Sequence, residues 1–200
     1  MTTIGVIGAG AIGSAFAKAL ANKGINVILS NSRGPASMVE LVNRLGPLVK
    51  AGTREEAATQ EIVLVAVNWS KLPMALAGLP DFADRIVIDA NNPIEAPLFK
   101  QVDLQGRTSS AVFSELVPGA RVVKAFNHLQ PHLISADPAK EGGRRVLFLS
   151  GDDQQARETV GGLISRLGFF GVDLGVLDVG ARLVQFPGGP LPALNLVKFA

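Results

Sequence analysis

The sequence predicts an α/β fold, a doubly wound and mostly parallel sheet with helices on both faces. Three observations carry this. Short apolar runs alternate with helical segments along nearly the whole chain. Those runs are continuous Val/Ile/Leu stretches, as strands buried on both faces require. The first of them, over residues 4–7, leads directly into Gly8-Ala9-Gly10-Ala11-Ile12-Gly13, a Gly-x-Gly-x-x-Gly turn between strand and helix.

The elements follow in order. An amphipathic helix carrying Phe16, Ala17 and Leu20 leaves the glycine turn, and a second strand covers 27–29. Residues 38–45 read as a helix, 49–51 as a short strand and 55–58 as a helical turn. EIVLVAV over 61–67 is a buried strand. A helix over 71–79 is closed by Pro80. RIVID over 85–89 is a strand, 109–116 a helix, RVVKAF over 121–126 a strand, and 144–149 another. The long helix over 153–167 places Ala156, Val160, Leu163, Ile164 and Leu167 on one face, and 170–174 is a last strand. Seven or eight strands in such alternation imply the doubly wound sheet. The 200 residues are read as a single domain, 1–200, with a C-terminal extension over about 180–200.

Each glycine of the turn has its own task. Gly8 allows the tight turn, Gly10 lets backbone approach a pyrophosphate, and Gly13 lets the helix pack on the sheet. The pyrophosphate would rest on free N–H groups at the positive end of the helix dipole. Gly8 through Gly13, with Ala9, Ala11 and Ile12, are therefore candidate cofactor-binding residues. An NAD site usually carries an acid about 20 residues beyond the motif. Here no acid lies between Gly8 and Glu40, and the second strand ends in Asn31-Ser32-Arg33. A carboxylate would repel a 2′-phosphate, whereas a guanidinium bonds it in bidentate fashion while stacking on adenine. Arg33 is otherwise a solvated loop arginine, but at this location NADP is favoured. Ser37 adds a hydroxyl or caps the next helix.

Composition narrows the class. Hydrophobic residues make up 48% and mean hydropathy is +0.32, yet no apolar run approaches the roughly 18 residues of a membrane helix. Net charge is +2 with the basic residues scattered, so nucleic acid is not an expected partner. The chain has no cysteine, and no His/acid cluster has metal-ligand spacing, so no metal is expected. There is no room for a signal peptide before the first strand, and a cytoplasmic location is expected.

Ligands of such sheets bind beyond the carboxyl ends of the strands. Three tails qualify. The EIVLVAV strand ends at Val67 and is followed by Asn68-Trp69-Ser70, which holds the only tryptophan; Trp69 either walls a pocket or plugs the core edge. Ala90-Asn91-Asn92-Pro93 follows RIVID and has turn chemistry. Asn127-His128 follows RVVKAF. His128 is a candidate proton donor near neutral pH, although loop histidines are more commonly polar surface; His132 is read as surface. No Gly-x-Ser-x-Gly elbow occurs, and the absence of tyrosine rules out Tyr-x-x-x-Lys.

On these residues the chain resembles the NADPH-dependent F-420 (deazaflavin) reductases, the F-420-dependent NADP oxidoreductase family. It is also similar to the cytosolic oxidoreductase domain of STEAP metalloreductases. The likeness runs nearly end to end: IGVIGAGAIGSAFAKAL, NSRGP, VLVAVNW, VVKAFN, GDDQQA, LGFFGVDLG and ARLVQFPGGPLPALNL. It implies a Rossmann-like domain that binds NADP(H) and passes hydride to a flavin (FMN, FAD) or deazaflavin. It places Gly8, Gly10 and Gly13 at the pyrophosphate and Ser32 and Arg33 at the 2′-phosphate. Trp69, Asn91, Asn92, Pro93 and Asn127 fall on the nicotinamide and flavin side. Asn68 departs from a proline, and Asn91 from a threonine, common in relatives. Related imine and hydroxy-acid reductases add a helical C-terminal domain, for which only about 20 residues remain here. The apolar tail from Leu191 to Phe199 is expected to close the pocket across a two-fold in a homodimer. The competing class is a non-catalytic NADP(H) sensor, or an electron-donor subunit for a membrane reductase.

Overall fold

The computed structural model describes residues 3–95 and 98–199. Its main sheet is mostly parallel and Rossmann-like. β1 (Thr3–Ile7) lies between β2 (Asn26–Ser30) and β4 (Ile62–Val65), and β3 (Val49–Ala51) forms the edge beyond β2. On the other side β5 (Ile86–Asp89) pairs with β4. The very short β6 (Ile94–Glu95) and β7 (Lys100–Gln101) pair with each other outside this sheet. β8 (Arg121–Ala125) follows β5 in parallel. Two-residue β9 (Ala139–Lys140) and nine-residue β10 (Gly143–Gly151) come next, then β11 (Phe170–Asp173) and β12 (Val197–Lys198). β10 runs antiparallel to β8 and parallel to β11. Its first residues pair with β9 and β12.

Helices cover both faces because the strands are apolar on both. Ile62 and Leu64 of β4 face one cluster with Phe16 and Leu20 of α1 (Ala11–Asn22) and Leu45 of α2 (Val39–Leu45). Val63 and Val65 face the other, with Ala57 and Ala58 of α3 (Arg54–Ala58) and Leu72 and Leu76 of α4 (Leu72–Leu76). Phe113 of α5 (Ser109–Glu115) joins the second cluster, and Ile134 of α6 (Pro131–Ser135) the first. The stripe Ala156, Val160, Leu163, Ile164 and Leu167 of α7 (Gln154–Leu167) is buried in the first as its spacing requires. α8 (Leu177–Val184) turns Leu177 and Ala181 to the second. Among the described residues no helix is long and apolar enough to cross a membrane.

Several boundaries move for local reasons. The helix expected over 71–79 is a 3-10 turn at Trp69–Lys71 followed by α4. It stops at Leu76, because Ala77 is extended and Gly78 has φ +71°. The strand expected to reach Phe126 ends at Ala125, since Phe126 sits at φ +63°. Such a conformation costs a bulky residue about 1–3 kcal/mol, offset here by full burial against Phe16. The acids at helix starts act as caps: Asp153 accepts from Ala156 N–H, and Thr53 with Glu56 forms a capping box. α6 and α8 lie outside the elements expected from the sequence. In the C-terminal tail, Leu191 packs on Val146, Phe148 and Val184, and Val197 pairs with Arg145 of the same chain. Leu194, Leu196 and Phe199 stay exposed.

Candidate functional site

The carboxyl ends of β1, β2, β4, β5 and β8 open on one cleft of about 1210 Å³. At its centre is the glycine turn. Gly8 has φ +113°, and a Cβ there would lie 2.1 Å from the Ala66 carbonyl oxygen. A Cβ on Gly13 would lie 1.8 Å from the Gly8 oxygen, which is how closely α1 crosses the turn. A Cβ on Gly10 would meet nothing within 4 Å. No side chain caps α1 at Gly10, so its first-turn N–H groups face the cleft uncapped.

Toward β2 the cleft is lined by Asn31, Ser32 and Arg33. Asn31 Oδ1 accepts from Arg33 N–H at 2.9 Å, and Asn31 Nδ2 donates to Ser37 Oγ at 2.9 Å. Ser37 thus braces the tip without lining the cleft. Arg54, Met74 and Ala75 complete this end. Sequence reading missed them, because they come from helix starts and faces rather than strand tails.

Beyond β4 a buried network sets the loops. Lys124 and Asp89 are fully buried and 2.9 Å apart. Lys124 Nζ also donates to the Asn91 carbonyl. Asp89 Oδ1 accepts from the Asn91 N–H at 3.0 Å and its Nδ2 at 2.8 Å. Asn91 Oδ1 in turn accepts from Val67 N–H at 2.9 Å. The Asn91 side chain therefore ties the β5 tail to the β4 tail. Asn92 and Asn127 bond reciprocally: Asn92 Nδ2 donates to the Asn127 carbonyl at 2.8 Å, and Asn127 Nδ2 to Asn92 Oδ1 at 3.0 Å. Val67, Asn68, Trp69, Ala90, Asn91, Asn92, Asn127 and His128 all line the cleft. Gly13 and the buried Pro93 do not. Trp69 does both things open to it, packing in the core and walling the cleft.

Ile94 and Phe99, together with Phe186, Pro192 and Ala193, form the far end. Phe99 is 63% exposed and Phe186 40%, unusual for aromatic side chains. The only charged side chains among the described cleft residues are Arg33 and Arg54, toward the β2 end, and Lys71, on the 3-10 turn that packs against β6.

His128 is 3% exposed, its ring tilted on Phe148, and Nε2 accepts from Phe148 N–H at 3.4 Å. Burial lowers its pKa from 6.5 to about 4, so it is neutral at pH 7 and holds no ammonium-like proton to give. Between pH 6.5 and about 4 the unfolded chain binds a proton that the folded chain refuses. Stability supplied by neutral His128 is present above pH 6.5, falls as pH drops to about 4, and totals about 3 kcal/mol. His128→Gln is expected to flatten that part of the pH-stability curve. An unchanged slope in urea melts would show that another group carries it.

Comparison with known proteins fits this geometry. Residues 3–93 match the family described as NADP oxidoreductase, coenzyme F420-dependent. A Sinorhizobium meliloti protein, SMa0349, described only as hypothetical, is 48% identical; the match covers 99% of this chain and 96% of that one, with a TM-score of 0.93. The glycine turn and the Asn31–Arg33 tip lie within the residues that are similar to the F420-dependent NADP oxidoreductases. A protein from Arthrobacter sp. FB24, provisionally named an F420-dependent NADP-reductase, is 26% identical with a TM-score of 0.76, covering 89% of this chain and 86% of that one. Rat metalloreductase STEAP3 is 31% identical over 95% of this chain. The chain spans 37% of that relative's length.

Proposed function

We propose that the chain is an NADPH-dependent reductase that passes hydride to a flavin-type ring: FMN, FAD, riboflavin or a deazaflavin. The observation that carries this reading is one continuous cleft, with Arg33 and Arg54 toward β2 and an apolar wall of Ile94, Phe99 and Phe186 beyond β5. The open space at Gly10 and the uncapped start of α1 suit a pyrophosphate. Arg33, exposed at the tip, suits a 2′-phosphate.

When both rings are bound, the chemistry supplied is hydride transfer from nicotinamide C4 to N5 or C5 of the acceptor. What remains for the protein is to align the rings and keep water out. The Lys124–Asp89–Asn91 network holds the two strand tails still, and Phe99, Phe186 and Ile94 give an apolar wall. No side chain has to ionise, which agrees with a neutral His128.

The test is loss of nicotinamide absorbance with a panel of flavins and a deazaflavin, NADH in parallel. Turnover with a clear NADPH preference is the expected result. Tight NADPH binding with no turnover on any acceptor would instead favour the sensor, or a donor subunit awaiting a membrane partner. Arg33→Ala is expected to weaken NADPH by about 1.5–3 kcal/mol and NADH far less. Equal losses would remove Arg33 from the 2′-phosphate.

A further inference from the structure

We infer that Arg54 is the fixed wall of a purine pocket at the basic end of the cleft and reads the base rather than the phosphate; this rests on the dinucleotide reading above. Arg54 opens α3, just beyond β3, and lines the cleft with Arg33, Val67 and Ala75. The β2 and β3 side of the glycine turn is where the base would lie if the second ring lies toward β5 and β8.

The two arginines are held differently. Arg33 is exposed, and among the described residues its guanidinium makes no hydrogen bond; only its backbone N–H is engaged, by Asn31. It can follow a phosphate. Arg54 Nη1 donates to the Met74 carbonyl at 2.8 Å and the Ala75 carbonyl at 3.0 Å, and Nη2 lies 3.4 Å from Glu55 Oε1. Those carbonyls belong to the last turn of α4, where a cation is stabilised. A guanidinium tied there cannot swing toward a phosphate without giving up both bonds. Its side chain is nevertheless 30% exposed. A planar, delocalised, fixed cation is a stacking surface for an aromatic base.

Capping α4 alone needs only a positive charge, which lysine supplies without the plane. Arg54→Lys therefore separates the two roles. Titrations of wild type and Arg54→Lys with AMP, 2′,5′-ADP and nicotinamide mononucleotide make the test. Arg54→Lys is expected to weaken AMP and 2′,5′-ADP by the same factor, about tenfold, leaving nicotinamide mononucleotide and the NADPH/NADH preference unchanged. A loss confined to 2′,5′-ADP would make Arg54 a phosphate cation and overturn the proposal. Unchanged AMP affinity would leave it a helix cap and overturn it too. A wild type that binds neither AMP nor NADPH would overturn the dinucleotide reading itself, an outcome distinct from both.

Discussion

Lys124→Ala is expected to cost about 3–5 kcal/mol of unfolding free energy, because it leaves the Asp89 carboxylate buried without its partner. Both side chains are fully buried, so water cannot take the lysine's place cheaply. The carboxylate would still accept from Asn91, but two neutral donors do not offset a charge in the core. Urea unfolding measures the loss. Replacing both, Lys124→Met with Asp89→Leu, is expected to cost less than the sum of the two singles. The recovery is partial, since the Asn91 N–H then loses its acceptor and Asn91 Nδ2 keeps only the Val65 carbonyl. A single-variant loss under about 1 kcal/mol would mean that the pair is not what holds the two tails.

The second large effect is a contrast between two glycines three residues apart. Gly13→Val is expected to break the fold by several kcal/mol, about 4, since even a Cβ would lie 1.8 Å from a backbone oxygen that cannot yield. Gly10→Val is expected to leave the melting temperature unchanged within about 2 °C. Its φ of −77° is ordinary for any residue, and the added atoms enter open space. That space is where the pyrophosphate is proposed to lie, so dinucleotide affinity is expected to drop about 100-fold. A stable Gly10→Val protein that binds NADPH normally would place the pyrophosphate elsewhere. Calorimetric melts and a binding titration on the two variants give the answer together.

The strand tails were legible because the rule that reads them is local: an apolar run ends, and polar residues follow on the ligand side of the sheet. Asn31, Asn68, Trp69, Asn91 and Asn127 were found this way and share one cleft. The basic tip was legible as an absence, no acid before Glu40. What stayed hidden depends on distant contacts. Arg54 lies at a helix start, and only its reach across to α4 brings it to the cleft wall. Phe99 sits between two-residue strands too short to show a period. Phe186 and Ala193 return from a tail whose apolar pattern looked available for a second copy. In the folded chain part of that pattern is taken by β10. His128 was legible as a residue type but not as an environment; nothing local announces that Phe148 will bury it.

The C-terminal segment is clasped to the far end of the cleft by polar bonds. Asn127 Nδ2 donates to the Val184 carbonyl at 2.7 Å, Phe186 N–H to Asn92 Oδ1 at 3.1 Å, and Ala193 N–H to the His128 carbonyl at 2.9 Å. Its docking and the occupancy of that end are therefore one linked equilibrium. A molecule that binds against Phe186 and Ala193 tightens the clasp, and undocking the segment loosens the molecule by the same factor. Protease attack on residues beyond Val184 then becomes a gauge of what the cleft holds, slowing as the far end fills.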